Sequence, residues 1–151
     1  MAAKNDKNDK NAMVGVVLVT HGTFGEGLLQ AAVMVLGPQE NCVAVGVDVS
    51  TGVDESMEAI RKAIKSVESG RGVIALTDLF GGSSTTMSLS LMKSERLEVI
   101  TGVNLPMLIA TLSSRLMELD ALADKAMGAG QQGIKVAGAM LRKRAADKAK
   151  P

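Results

Sequence analysis

The sequence predicts an α/β protein in three layers, a parallel sheet flanked by helices, and three features carry that prediction. Apolar runs without polar alternation, Met13 to Val19 above all, suit strands buried on both faces. Strand-like runs alternate four times with segments of helical spacing, as parallel strands joined by crossover helices do. Two of the runs end on polar residues and glycines, Thr20-His21-Gly22 and Thr77-Asp78 with Gly81-Gly82 behind it. Strand-to-helix loops of that kind carry ligand chemistry at the carboxyl edge of an open sheet.

The elements follow in order. Residues 1–12 repeat Lys, Asn and Asp with nothing to bury, which predicts a disordered tail. Met13 to His21 is the first strand. Leu28, Leu29, Ala32, Val33 and Leu36 give a helix over Glu26 to Leu36 that Gly37-Pro38 stops. Cys42 to Val49 is a second strand. Asp54 is expected to cap a helix to about Ser66, with Met57, Ile60 and Ile64 on one face and Glu58 paired with Lys62. Gly70-Arg71-Gly72 turns the chain into the strand Val73 to Asp78. A helix resumes at Ser83 or Ser84 and runs to Lys93, and Leu97 to Thr101 is a fourth strand. Pro106 opens a helix to about Arg115, in a first turn where its missing amide costs nothing. Glu118 to Gly130 is a further helix and Ile134 to Met140 a last candidate strand. The domain thus spans residues 13–140, with a basic tail over 141–151.

Composition bounds the function. At 151 residues there is room for one domain with a real core, and 46% hydrophobic content excludes disorder throughout. Aromatic residues are nearly absent, so Met34, Met57, Met87 and Met107 read as core or interface filler. Cys42 has no second cysteine to pair with, and no second histidine exists to activate it, so it reads as a small buried residue. No signal peptide and no run near the ~20 apolar residues of a membrane helix is present, and a cytoplasmic protein is expected. Net charge is +1, with the positive excess in the tail at Arg142, Lys143, Arg144, Lys148 and Lys150. Without aromatic residues or a recognition motif this tail reads as a solvated helix end, and no nucleic acid is expected.

His21 is the only histidine. If the first and third strands are neighbours, Asp78 lies beside it on the same edge. A carboxylate accepting from one ring nitrogen fixes the tautomer and leaves a lone pair on the other. Gly81, Gly82 and Ser83 open a helix, where amides and the helix start favour an anion such as a phosphoryl group. The set suits a histidine that accepts phosphoryl and hands it on. Each signal also has a plainer reading: a capping or solvated histidine, an aspartate that forms a turn, a simple helix start. The run is no Walker loop, because that motif's lysine is missing.

Four motifs in order carry a resemblance: Val19-Thr20-His21-Gly22, then Leu36-Gly37-Pro38-Gln39-Glu40-Asn41, Asp78-Leu79-Phe80-Gly81-Gly82-Ser83, and Val99-Ile100-Thr101-Gly102-Val103-Asn104-Leu105-Pro106. Over about residues 13–137 the chain resembles the mannose-family IIA component of the bacterial phosphoenolpyruvate-dependent sugar phosphotransferase system (PTS). The dihydroxyacetone-kinase phosphocarrier domains are similar in fold, but the Gly-Gly-Ser and Gly-Val-Asn-Leu-Pro motifs fit the mannose family better.

The resemblance implies a cytoplasmic phosphocarrier that takes phosphoryl from the histidine-containing carrier HPr and passes it to a IIB component. His21 would be phosphorylated at its outer ring nitrogen, Asp78 would orient it, and Ser83 would line the phosphate site. It implies no cofactor, no metal, and contact with the membrane only through the permease complex. It also implies a homodimer with the C-terminal edge strand, here Ile134 to Met140, exchanged between subunits. Two departures stand out. Leu79 and Phe80 replace a hydroxyl residue and a tryptophan, and Ser84 replaces a proline, so a phosphate pocket with one hydroxyl fewer is expected. Phe24, Leu79 and Phe80 are candidates for an apolar partner surface, with Phe24 and Phe80 equally readable as core residues that cap helices. An alternative is a regulatory IIA-like module that signals phosphorylation state to a protein outside transport. A purely structural His21, serving only as a cap, is the third reading.

Overall fold

A computed structural model describes residues 12–48 and 50–149. Four strands alternate with helices: β1 (Gly15–His21), α1 (Phe24–Leu36), β2 (Cys42–Val47), α2 (Val53–Val67), β3 (Val73–Thr77), α3 (Ser83–Leu91) and β4 (Leu97–Thr101). Three more helices follow, α4 (Leu105–Leu112), α5 (Leu119–Gln132) and α6 (Ala137–Lys148). All strand pairings are parallel, in the order β2-β1-β3-β4. The chain leaves β1 for one side of the sheet and later returns to its other side. The seam between β1 and β3 is therefore a topological switch point, where the loops after the two strands diverge and leave a crevice.

Side chains alternate across β1 and build one core on each face of the sheet. Val14, Val16 and Leu18 pack with Ala32 of α1, Leu108 of α4 and Leu122 of α5. Val17 and Val19 pack with Ile60 and Ile64 of α2 and with Met87 and Leu91 of α3. The central strands β1 and β3 are buried on both sides, apart from the exposed terminal His21. The edge strand β2 is only half-buried over most of its length. Arg115 fastens the α4 end to the loop before β2. Its guanidinium donates to the carbonyls of Glu40 and Asn41 and to Gln39 Oε1 while only 8% of the residue is exposed.

Several expectations change. Ile134 to Met140 forms no strand: residues 134–136 are irregular and α6 begins at Ala137. A strand needs a partner edge to satisfy its backbone. Without one, the Ala-, Leu-, Arg- and Lys-rich run from Ala137 follows its helix propensity. The basic tail is thereby helical to Lys148, and all of α6 is solvated. Gly52, not Asp54, takes the cap position of α2. Asp54 sits in the first turn with Glu55, where negative charge suits the helix dipole. Glu58 pairs with Arg61 at 3.2 Å instead of Lys62. The second strand ends at Val47, and Val49 lies outside the described residues, as does nearly all of the tail predicted over 1–12. Met87 and Met107 are core residues, but Met34 is 88% exposed.

Candidate functional site at the β1–β3 seam

The parallel register aligns Val19 with Thr77, so the chain emerges from β1 and β3 on the same edge with His21 and Asp78 facing each other. Asp78 Oδ2 takes two hydrogen bonds from one residue: the His21 backbone amide at 2.9 Å and, at 2.8 Å, His21 Nδ1. Its other oxygen, Oδ1, accepts from the Ser84 hydroxyl at 2.8 Å. Burial works to raise the Asp78 pKa, but the His21 amide, the His21 ring and the Ser84 hydroxyl outweigh it and hold the carboxyl below its ordinary value. The group is thus an anion at neutral pH, and an anion there favours a proton on Nδ1. The His21 side chain remains 45% exposed against 16% for Asp78, so the pair is anchored on the acid's side and open on the imidazole's.

The surrounding backbone is built for close approach. Gly82 lies against the imidazole, and a Cβ on it would stand 3.1 Å from His21 Cε1. Gly46 of β2 abuts the Gly22 carbonyl so closely that a side chain there would collide with it, and Gly22 itself turns through a φ of 52°. Thr20, fully buried one residue before His21, accepts the Gly25 amide at 2.7 Å and ties the start of α1 to the end of β1. A second hydroxyl cluster supports the loop after β3. Thr85 Oγ1 lies 2.6 Å from Thr77 Oγ1 and donates to the Leu79 carbonyl at 2.8 Å.

The start of α3 closes the site. Gly81 takes a φ of 78°, Gly82 occupies the cap position, and Ser83 is the first helical residue. Among the described residues, the amides of Ser83, Ser84 and Thr85 have no protein acceptor, the usual condition of a helix first turn. Such amides and the helix dipole favour an anion. Phe24, Leu79 and Phe80, close in sequence to His21 and Asp78, are 49%, 61% and 79% exposed, which removes the core reading for Phe24 and Phe80. Among the described residues no cluster of three His, Cys, Asp or Glu side chains could hold a metal ion.

The structure therefore brings together His21, Asp78 and Gly82, while Gly81 and Ser83 are the chain neighbours of Gly82 and show no contact with the pair among the described residues. Sequence reasoning missed Ser84 and treated it only as a lost proline. The sequence shows only a serine at a helix start after a strand-end acid, and neither its burial nor the direction of its hydroxyl is visible there.

Comparison with known proteins gives the family. Residues 15–127 match the EIIA-man family model, described as PTS system fructose IIA component. The chain belongs to this family. The mannose-specific EIIAB component of Escherichia coli K12 is a IIA-family relative 33% identical over 141 residues, 91% of this chain and 42% of that protein. The chain thus spans less than half the length of that relative. The fructose-specific EIIA component of Bacillus subtilis is 29% identical over 133 residues, covering 87% of this chain and 91% of that one. Among solved IIA structures, a PTS component EIIA from Streptococcus agalactiae superposes with a TM-score of 0.77 at 26% identity. It covers 84% of this chain and 99% of that one. The chain thereby carries the α/β fold of that family. No helix among the described residues is long and apolar enough to cross a membrane.

Proposed function

We propose that the protein is a cytoplasmic phosphocarrier that accepts phosphoryl from HPr on His21 and passes it to a IIB component. The observation that supports this most is the pairing of His21 Nδ1 with Asp78 Oδ2 at 2.8 Å while the ring stays half-exposed. In this reading Nδ1 keeps its proton and the Nε2 lone pair attacks phosphorus. The new N–P bond forms as the donor's N–P bond breaks, and the donor ring, carrying a proton on its other nitrogen, keeps the electrons of the broken bond and leaves as neutral imidazole. The positive charge that develops on the His21 ring is met by the Asp78 carboxylate. Gly81 and Gly82 let the backbone come close to the phosphoryl group, the Gly82 amide itself donating to the Leu79 carbonyl at 3.1 Å, and the free amide and hydroxyl of Ser83 at the start of α3 hold its oxygens. Little covalent work remains beyond in-line alignment, because the transition state of phosphoryl transfer is loose. Phe24, Leu79 and Phe80 give the partner an apolar rim to dock on. The site needs no metal and no cofactor for this step, and the membrane is reached only through the permease complex.

The same reading takes the active form as a homodimer. The β4 edge has no partner strand among the described residues, and Ile134, Val136, Met140 and Leu141 are exposed. Exchange of the chain after α5 between subunits would cover both.

Incubation with phosphoenolpyruvate, enzyme I and HPr tests the function. An acid-labile, base-stable label is expected on the protein and none on His21→Ala, whose circular dichroism stays native. A folded wild-type protein that takes no label defeats the proposal. Labelled protein that discharges onto no IIB component, yet changes the activity of a regulator, would favour the signalling alternative.

A further inference from the structure

Ser84 makes a contact that its position does not call for. A serine at a helix N-cap turns its oxygen toward a backbone amide, but Gly82 holds that position and Ser84 is the second residue of α3. Here the hydroxyl points out of α3 and donates to Asp78 Oδ1, six residues back at the end of β3. The residue is fully buried, and its hydroxyl has no other partner among the described residues. Its main chain is engaged separately, the carbonyl accepting from Ser88 Oγ at 2.7 Å. The contact therefore joins the α3 framework to the catalytic carboxylate and to nothing else.

A carboxylate torsion is broad and nearly two-fold, so a lone aspartate at a loop start samples many orientations and exchanges its two oxygens. At Asp78 the oxygens have separate duties: Oδ1 on Ser84, Oδ2 on the amide and ring of His21. We propose that Ser84 is a positioning residue for transfer at His21, its buried hydroxyl holding Oδ1 so that Oδ2 stays on the imidazole and Nε2 faces outward. The proposal rests on the phosphocarrier reading above. It explains how the chain manages with an apolar Leu79 directly after Asp78: the carboxylate is steadied from inside α3 and not from the loop.

The test compares wild type, Ser84→Ala, Ser84→Thr, Asp78→Ala and the double variant Asp78→Ala/Ser84→Ala. Nitrogen NMR of labelled histidine reads the His21 tautomer, carboxyl NMR reads the Asp78 titration, and phospho-HPr supplies the transfer assay. Ser84→Ala should mix the tautomers, raise the Asp78 pKa and slow transfer about tenfold, the loss expected for one charge-assisted bond. Ser84→Thr should restore all three. In the Asp78→Ala background, loss of the Ser84 hydroxyl should change nothing further, because the serine acts through that acid. Unchanged tautomer, titration and rate in Ser84→Ala would overturn the positioning role, as would an equal loss with Asp78 absent. If Ser84→Ala fails to fold, Ser84→Cys, close in shape and a weaker donor, is judged by the same outcomes. A wild-type protein that takes no phosphoryl would overturn the phosphocarrier reading itself, whereas tautomer and titration do not depend on labelling.

Discussion

His21 and Asp78 meet twice across the β1–β3 seam, once through the backbone amide of the histidine and once through its ring, and both bonds end on the same oxygen. The double contact makes the orientation of the imidazole a property of the sheet. Moving the ring requires moving either the last residue of β1 or the first residue after β3.

Asp78→Asn tests both the chemistry and the charge. A hydrogen bond to a charged group contributes about 1.5–3 kcal/mol, so its loss in the transition state should slow transfer about ten- to a hundredfold. In stability the sign follows from the depressed carboxyl. Its contribution is present above the ordinary value of 3.8 and is lost as pH falls through the lower value of the folded state. Denaturation midpoints of wild type and Asp78→Asn should therefore converge as pH drops below about 4. A gap that stays constant into stronger acid would show that the carboxyl is not held down.

Gly82→Ala separates ring placement from folding. The Gly82 backbone sits at φ −73° and ψ 168°, open to any residue, so the added methyl brings no backbone strain. Its neighbours would be His21 Cε1 and the Leu79 carbonyl, each at 3.1 Å, and the half-exposed ring is the more mobile of the two. The variant should stay within about 1 kcal/mol of wild type in stability, with slower phosphoryl acceptance and a displaced His21 ring signal in NMR. Wild-type transfer with an unmoved ring would contradict the packing at Cε1.

How far the sequence revealed these features depended on their range. Buried apolar runs ending on Thr20-His21 and Thr77-Asp78 marked strand ends, because a strand covered on both faces leaves no ambiguity of period. That β1 and β3 are neighbours is a topological fact that periodicity does not carry, and it entered as a condition. The helical state of residues 137–140 was misread because a short apolar run can satisfy its backbone in either form, whereas the basic residues after them read as the solvated helix end that α6 forms. The direction of the Ser84 hydroxyl was out of reach, since a first-turn serine reads as a cap whichever way it points.

Arg115 should matter for the scaffold alone. Its nearly buried guanidinium binds the Glu40 and Asn41 carbonyls and Gln39 Oε1, and Asn41 holds a left-handed φ of 48° in the same loop. Arg115→Met keeps much of the side-chain packing but leaves the Glu40 carbonyl and Gln39 Oε1 without that donor, while the Asn41 carbonyl keeps the Val16 amide at 3.0 Å, a loss of about 1–3 kcal/mol. Chemical denaturation should show that loss, with the His21 tautomer unchanged. A shifted tautomer would mean that the loop before β2 is coupled to the site.

Cys42, the first residue of β2, tests whether the lone thiol is inert. Burial pushes its pKa from 9.0 up to about 11, and the nearby Arg115 only partly opposes that rise. At pH 8 the folded protein should therefore carry about a hundredfold less thiolate than an ordinary cysteine, and iodoacetamide should modify it slower by a similar factor until denaturant is added. The sign in stability follows from the raised value. The folded state keeps a proton that the unfolded chain releases above 9.0, so stability should fall between pH 9.0 and about 11 in wild type and stay flatter in Cys42→Ala. Because the thiol lies at the opposite end of β2 from Val47, which pairs with His21, Cys42→Ala should leave phosphoryl transfer at the wild-type rate. Rapid alkylation of the native protein at pH 8, or loss of transfer in Cys42→Ala, would overturn the assignment of this residue to packing.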